Sequence, residues 1–261
     1  MDRSHLPIGV FDSGVGGVSV LRELRKLMPN ENYIFYGDSK NAPYGTKDTE
    51  TVLKLTCQDA EHLLKQGVKA LVVACNTATS AGISTLRQKY KNIPVIGIEP
   101  ALKPAIEKNP GQLAHPHIIV MATPMTLREE KFHQLMRLYE FHADIFPLPC
   151  PGLVEFVEHG EFDGENVTNL LERLFEPYRN SKIDGVVLGC THYPFVKQTI
   201  QKVIGPHIPL FDGGAGTARE TKRRLRQEGI FSRSAEIGTV VFQNSLQDTF
   251  ILNLCRQLLE R

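Results

Sequence analysis

Two stretches of the chain end alike: ALVVACNTATS at 70–80 and DGVVLGCTHYP at 184–194. In each, an apolar run stops at a cysteine and gives way to hydroxyl and other hydrogen-bonding side chains. A lone cysteine at such an edge reads as a small buried hydrophobe, the reading given to Cys57, Cys150 and Cys255. Cys75 and Cys190 are different because they match, nearly half the chain apart, and a matched pair needs one shared explanation. If the two segments face each other across a cleft, one thiol lies on each side of whatever binds there. That arrangement can take a proton from one face of a carbon and return one to the other. Thiols suit the work because their ordinary pKa of about 8.5 lets thiol and thiolate coexist after modest tuning. His192 could set the protonation of Cys190, and Asp12 that of Cys75.

The same atoms have other uses. A Cys–His hydrolase would employ one nucleophile and one base, and would leave the second Cys-Thr motif unexplained. A non-catalytic amino-acid-binding protein could use the same cleft. Metal ligation is disfavoured, because the nine histidines show no HExxH spacing and the five cysteines no CxxC. DSGVGG at 12–17 invites a phosphate-loop reading, yet it lacks GxGxxG spacing and no GK[ST] follows. Asp12 within it also reads as a plain helix N-cap.

These residues must be held by regular elements, and the chain supplies them as short β-branched runs alternating with longer amphipathic stretches. The runs are IGVF (8–11), YIFYG (33–37), ALVVA (70–74), PVIGI (94–98), IIVMA (118–122), DGVVLG (184–189), IPLF (208–211) and a late IGTVVFQN. This is the βαβ rhythm of a mostly parallel, buried sheet. Segment 48–66 carries Val52, Leu55, Leu63 and Leu64 at helical spacings, with Gly67 as its stop. The expected architecture is α/β, with two pseudo-symmetric domains of mostly parallel strands and the active site in the cleft between them. Pro100 and Pro104 punctuate the chain, as does IPLFDGG, so residues 1–98 plus 211–261 are expected to form a discontinuous first domain carrying Cys75. Residues 99–210 form the second, carrying Cys190. In open α/β sheets ligands bind beyond the carboxyl ends of the strands. That places Asp12, Ser13, Asp38, Cys75, Asn76, Thr77, Thr123, Cys190, Thr191, His192 and Asp212 at the site.

Composition narrows the partner. With 30 basic and 29 acidic residues there is no global field to attract nucleic acid or an anionic membrane. The densest basic cluster, Lys222, Arg223, Arg224 and Arg226, is interleaved with Glu220 and Glu228 as a solvated helix face. No apolar run approaches the ~20 residues of a membrane span, and the N-terminus moves from charge straight into a strand. A cytoplasmic protein with reduced thiols and a small-molecule partner is expected, without nucleic acid or membrane.

DSGVGG, GDSKNAPYG, ACNTAT, GCTHYP and the late DGG together resemble the aspartate/glutamate racemase family, essentially end to end. The paired ACNTAT and GCTHYP motifs carry the resemblance. It implies cofactor-independent interconversion of L- and D-glutamate, with neither pyridoxal phosphate nor metal, supplying D-glutamate for peptidoglycan. It implies a homodimer, and Cys75 and Cys190 as the two acid/base residues, one for each enantiomer. Asp12 and His192 match residues that assist the thiols, and Glu155 in CPGLVEFVE matches a supporting acidic position. Implied substrate contacts are Asp12, Ser13, Pro43, Tyr44, Gly45, Asn76, Thr77, Thr123, Thr191 and His192. An aspartate or hydantoin racemase is the alternative within the fold, distinguished by the pocket for the distal group. One motif departs: after MATPMT the family often has a serine and a tyrosine, whereas here Leu127, Arg128, Glu129, Glu130, Lys131 and Phe132 follow. The departure leaves Thr123 and Thr126 in place and is expected to alter local helix packing.

Overall fold

The computed structural model describes residues 2–107 and 115–261. The first half runs β1 (Ile8–Asp12), α1 (Val18–Leu27), β2 (Tyr33–Gly37), α2 (Thr49–Leu64), β3 (Ala70–Val73), α3 (Asn76–Lys89), β4 (Val95–Gly97) and α4 (Leu102–Glu107). The second runs β5 (His117–Ala122), α5 (Pro124–Arg128), α6 (Glu130–Arg137), β6 (Asp144–Pro149), α7 (Leu153–Glu158), α8 (Glu165–Phe175), β7 (Gly185–Leu188), α9 (Lys197–Ile204) and β8 (Leu210–Asp212). The chain then returns through α10 (Gly214–Gln227), β9 (Val240–Asn244) and α11 (Thr249–Glu260).

The eight apolar runs all form strands, and every strand pairing is parallel. One sheet has the order β4-β3-β1-β2-β9 and the other β6-β5-β7-β8. Read from β2, the first is β2-β1-β3-β4, the same order as the second, with β9 added outside β2. Cys75 after β3 and Cys190 after β7 are therefore equivalent positions in the two sheets. Asp12, closing β1, corresponds to the residues that close β5, where Thr123 follows.

Strands β1, β3 and β7 are buried along their whole length, because helices cover both faces of a parallel sheet; hence their continuous rather than alternating apolar pattern. Strand β6 has no counterpart among the expected runs. It lies at a sheet edge, is largely exposed, and contains Pro147 and Pro149, which an edge tolerates because a ladder there need not use every N–H. Helix α10 packs on α1, and α11 packs on α1 and β9, so the end of the chain lies against the first sheet. One apolar cluster runs from Val10, Phe35 and Val72 through Leu21 and Leu24 to Ile119, Met121 and Val186. Each such buried side chain contributes about 1.5–3 kcal/mol. The two sheets thus share a core, which fixes their strand ends against each other.

Candidate active site

The loop after β1 reaches across to the second sheet. Asp12 is fully buried; its Oδ2 accepts from Thr191 Oγ1 at 2.9 Å and its Oδ1 from the Gly14 N–H at 2.9 Å. Burial pushes its carboxyl above the ordinary range, opposed by nearby His192 and by the Thr191 and Gly14 hydrogen bonds. Ser19 Oγ donates to the Thr191 carbonyl at 2.9 Å, a second tie across the cleft. The glycines of DSGVGG serve this approach rather than a phosphate. A Cβ on Gly14 would collide with the Glu158 carboxylate, and one on Gly16 with the His192 ring and Thr191 Oγ1.

Cys75 is the N-cap of α3, and its Sγ accepts from the Ala78 N–H at 3.4 Å while lying 3.6 Å from Ser13 Oγ. A helix N-terminus favours negative charge on that sulfur. Burial and then the Asp12 charge outweigh it, and the Cys75 thiol is pushed up to about 12.

Cys190 belongs to a chain of polar groups. Its Sγ is 3.6 Å from His192 Nδ1, and His192 Nε2 is 2.6 Å from Glu158 Oε1. Burial alone would lower the His192 pKa, but hydrogen bonds to Cys190 and Glu158 and their charges raise it well above the ordinary imidazole value. The imidazolium is thereby favoured, and it faces the Cys190 sulfur. Glu158 Oε1 also accepts from the Val15 N–H at 2.7 Å, and Oε2 from Ser39 Oγ at 3.2 Å. One carboxylate thus ties α7 to the loops after β1 and β2 and to the histidine.

Hydroxyls and amides fill the space between. Thr77, Thr123 and Thr126 form a buried triangle of hydroxyls at 2.9–3.0 Å, joining α3 to the start of α5. Asn76 is buried, and among the described residues neither its side-chain oxygen nor its nitrogen has a partner. A buried, unpaired amide in a native site is a group that a ligand can satisfy. The turn Tyr44–Thr46, preceded by Pro43, packs against α5, with Tyr44 and Gly45 buried.

Similarity to known proteins follows the same lines. Residues 8–221 match the model of the Asp/Glu/Hydantoin racemase family. The chain belongs to this family. It is 54% identical over 261 residues to a glutamate racemase from Clostridium acetobutylicum, covering 100% of both chains. It is 52% identical over 259 residues to that of Clostridium perfringens, covering 99% of this chain and 98% of the relative. The crystal structure of glutamate racemase from Francisella tularensis in complex with D-glutamate superposes with a TM-score of 0.84 at 27% identity, covering 99% of this chain and 95% of that one.

Among the racemase-type residues expected from sequence, buried contacts link Ser13 to Asp12 and Cys75, Asp12 to Thr191, His192 to Thr191 and Cys190, and Thr77 to Thr123, with Asn76 buried between Cys75 and Thr77 in the chain. Glu155 is not among them. It is exposed on α7, and the carboxylate that reaches His192 is Glu158, three residues on. Helical phase carried the signal: Leu153, Val154 and Val157 mark the buried face of α7, and position 158 follows Val154 by four residues while 155 points away. The departure after MATPMT finds a structural use. Glu129 Oε1 accepts from Thr49 Oγ1 at 2.6 Å, and Phe132 is buried with Ala101 and Leu102.

Proposed function

We propose that this protein is a glutamate racemase, interconverting L- and D-glutamate by a cofactor-independent two-base mechanism. The observation that carries the reading is the pair of thiols at equivalent strand ends of two equivalently ordered sheets. Identity above 50% to glutamate racemases along the whole chain supports glutamate as substrate.

The α-proton of an amino acid is weakly acidic, so charge developing on the α-carbon and carboxylate must meet preorganised donors away from water. Asn76, Thr77 and Thr191, with Ser13 and Thr123 beside them, are the groups for this. The turn containing Pro43, Tyr44 and Gly45 is the wall assigned to the distal carboxylate. Cys190, facing the His192 imidazolium, is suited to act as thiolate base on L-glutamate, with Cys75 giving its proton to the opposite face. In reverse Cys75 is the base for D-glutamate, and Cys190 returns the proton. Glu158 holds His192 charged and oriented, and Asp12 positions Thr191 between the two thiols.

The family resemblance extends the reading to supply of D-glutamate for peptidoglycan, to the cytoplasm and to a homodimer. Five free thiols agree with a reducing compartment. No described helix is long and apolar enough to cross a membrane. The test is circular dichroism of L- and D-glutamate with the purified protein, and of both aspartate enantiomers in parallel. Loss of optical rotation from both glutamates, and little from aspartate, is expected. Preference for aspartate moves the assignment within the family, and acid or ammonia release without racemisation makes Cys190, His192 and Glu158 a hydrolase triad instead.

A further inference from the structure

Beneath the turn assigned to the distal carboxylate, the Tyr44 hydroxyl bridges two buried carboxyl groups. Its Oη is 2.7 Å from Asp38 Oδ2 and 2.8 Å from Asp59 Oδ2. A phenol has one proton to donate. Both contacts are hydrogen bonds only if one of the carboxyls brings a proton of its own. Two ionised carboxylates around one buried phenol would also repel each other.

The surroundings decide which carboxyl is neutral. The Asn41 amide donates to both Asp38 oxygens, at 2.9 and 3.1 Å, so Asp38 meets donors from two side chains. Asp59, on α2, has Tyr44 as its hydrogen-bond partner among the described residues, and no ion pair. The groups that face it are Asp38 from the loop after β2 and Asp12 from β1, both acidic, and Tyr36 from β2. Lys40, His62 and Lys65 stand on the walls of a neighbouring open cavity of about 830 Å³ without pairing with it. Burial and the Asp38 charge push Asp59 up to about 8, and burial and the two aspartates push Tyr44 far up, so the phenol keeps its proton.

We propose that Asp59 is a positioning residue that works as a neutral acid: its proton, given to Tyr44 Oη, holds the Pro43–Gly45 turn in its substrate-binding form. Tyr44, keeping its own proton, donates its O–H to Asp38, completing the bridge. Ionisation of Asp59 leaves one phenol proton between two carboxylates, and the turn loosens. The cavity provides the solvent route for that proton.

The kinetic part of the test rests on the racemase reading, whereas the spectroscopic part needs no substrate, so the two can fail separately. In the full-length enzyme, KM for either glutamate enantiomer should rise above pH about 8 by about tenfold per pH unit, more steeply than kcat falls. In D59N, whose amide mimics the neutral acid, that rise in KM should vanish. In Y44F, KM should be raised at neutral pH and lose the same pH dependence, which keeps the comparison available should D59N fold poorly. Infrared spectra near pH 6.5 should show a neutral carboxylic-acid band in the wild type that D59N lacks and that disappears as the pH passes about 8. An undiminished KM rise in D59N, or identical carboxyl bands in the two proteins, would overturn the proposal.

Discussion

Replacing Glu158 with glutamine removes one charge while keeping the side chain's shape. In the wild type this carboxylate receives the Val15 N–H, the Ser39 hydroxyl and His192 Nε2 at 2.6–3.2 Å. Glutamine has one acceptor oxygen, and its NH2 must face donors already present, so at least one buried donor loses its partner. A hydrogen bond to a charged group is worth about 1.5–3 kcal/mol, which corresponds to a loss of roughly 10- to 150-fold in kcat/KM. Loss of the Glu158 charge and hydrogen bond also lowers the His192 pKa. The sign for stability follows from the raised folded-state value. The His192–Glu158 pair stabilises the fold fully below the unfolded imidazole pKa of about 6.5, and that contribution is lost as pH rises through the elevated folded pKa. The stability deficit of E158Q should therefore be largest at pH about 5–6.5 and narrow at alkaline pH. Circular dichroism rates in both directions, ring-nitrogen NMR of His192 and urea unfolding at several pH values measure the three effects. A rate loss under about threefold with an unchanged His192 titration would refute the role given to Glu158.

The remaining expectations concern the rest of the site. Cys75→Ser and Cys190→Ser should each lower turnover by about 10²–10⁴-fold. Because enantiomers have equal free energy, kcat/KM must stay equal in the two directions even where kcat becomes unequal, and a variant racemising at the normal rate would remove that cysteine from the mechanism. Gly16→Ala places a methyl against His192 and within 2.6 Å of Thr191 Oγ1. It should cost about 1–3 kcal/mol in urea unfolding together with activity, and normal behaviour would show that the close approach is not tight. Thr191→Val deprives the buried Asp12 Oδ2 of its donor, and a destabilisation of about 1–3 kcal/mol is expected by the same measurement.

The matched thiols were legible because strands buried on both faces read as continuous apolar runs, and the polar residues that end them stand out. Asp12, Asn76, Thr77 and His192 were found by that rule alone. Strand β6 escaped it, since an exposed edge strand with two prolines carries neither the run nor the alternation. Glu158 was missed in favour of Glu155 because the two differ only in helical phase, which a single turn of α7 specifies weakly. The Asp38–Tyr44–Asp59 bridge joins a turn to the middle of a helix, a contact set by packing of α2 on the sheet and invisible to local pattern.

The partition of solvent deuterium tests the two-thiol mechanism most directly. L-Glutamate is incubated with the enzyme in deuterated water, and substrate and product are separated at low conversion. If Cys190 removes the α-proton and Cys75 delivers another from the opposite face, D-glutamate carries deuterium at the α-carbon while the recovered L-glutamate retains protium. Starting from D-glutamate, the pattern reverses. Retention of the original α-proton in the product, or early exchange into the recovered substrate at the rate of racemisation, would show a single base serving both faces and contradict the mechanism.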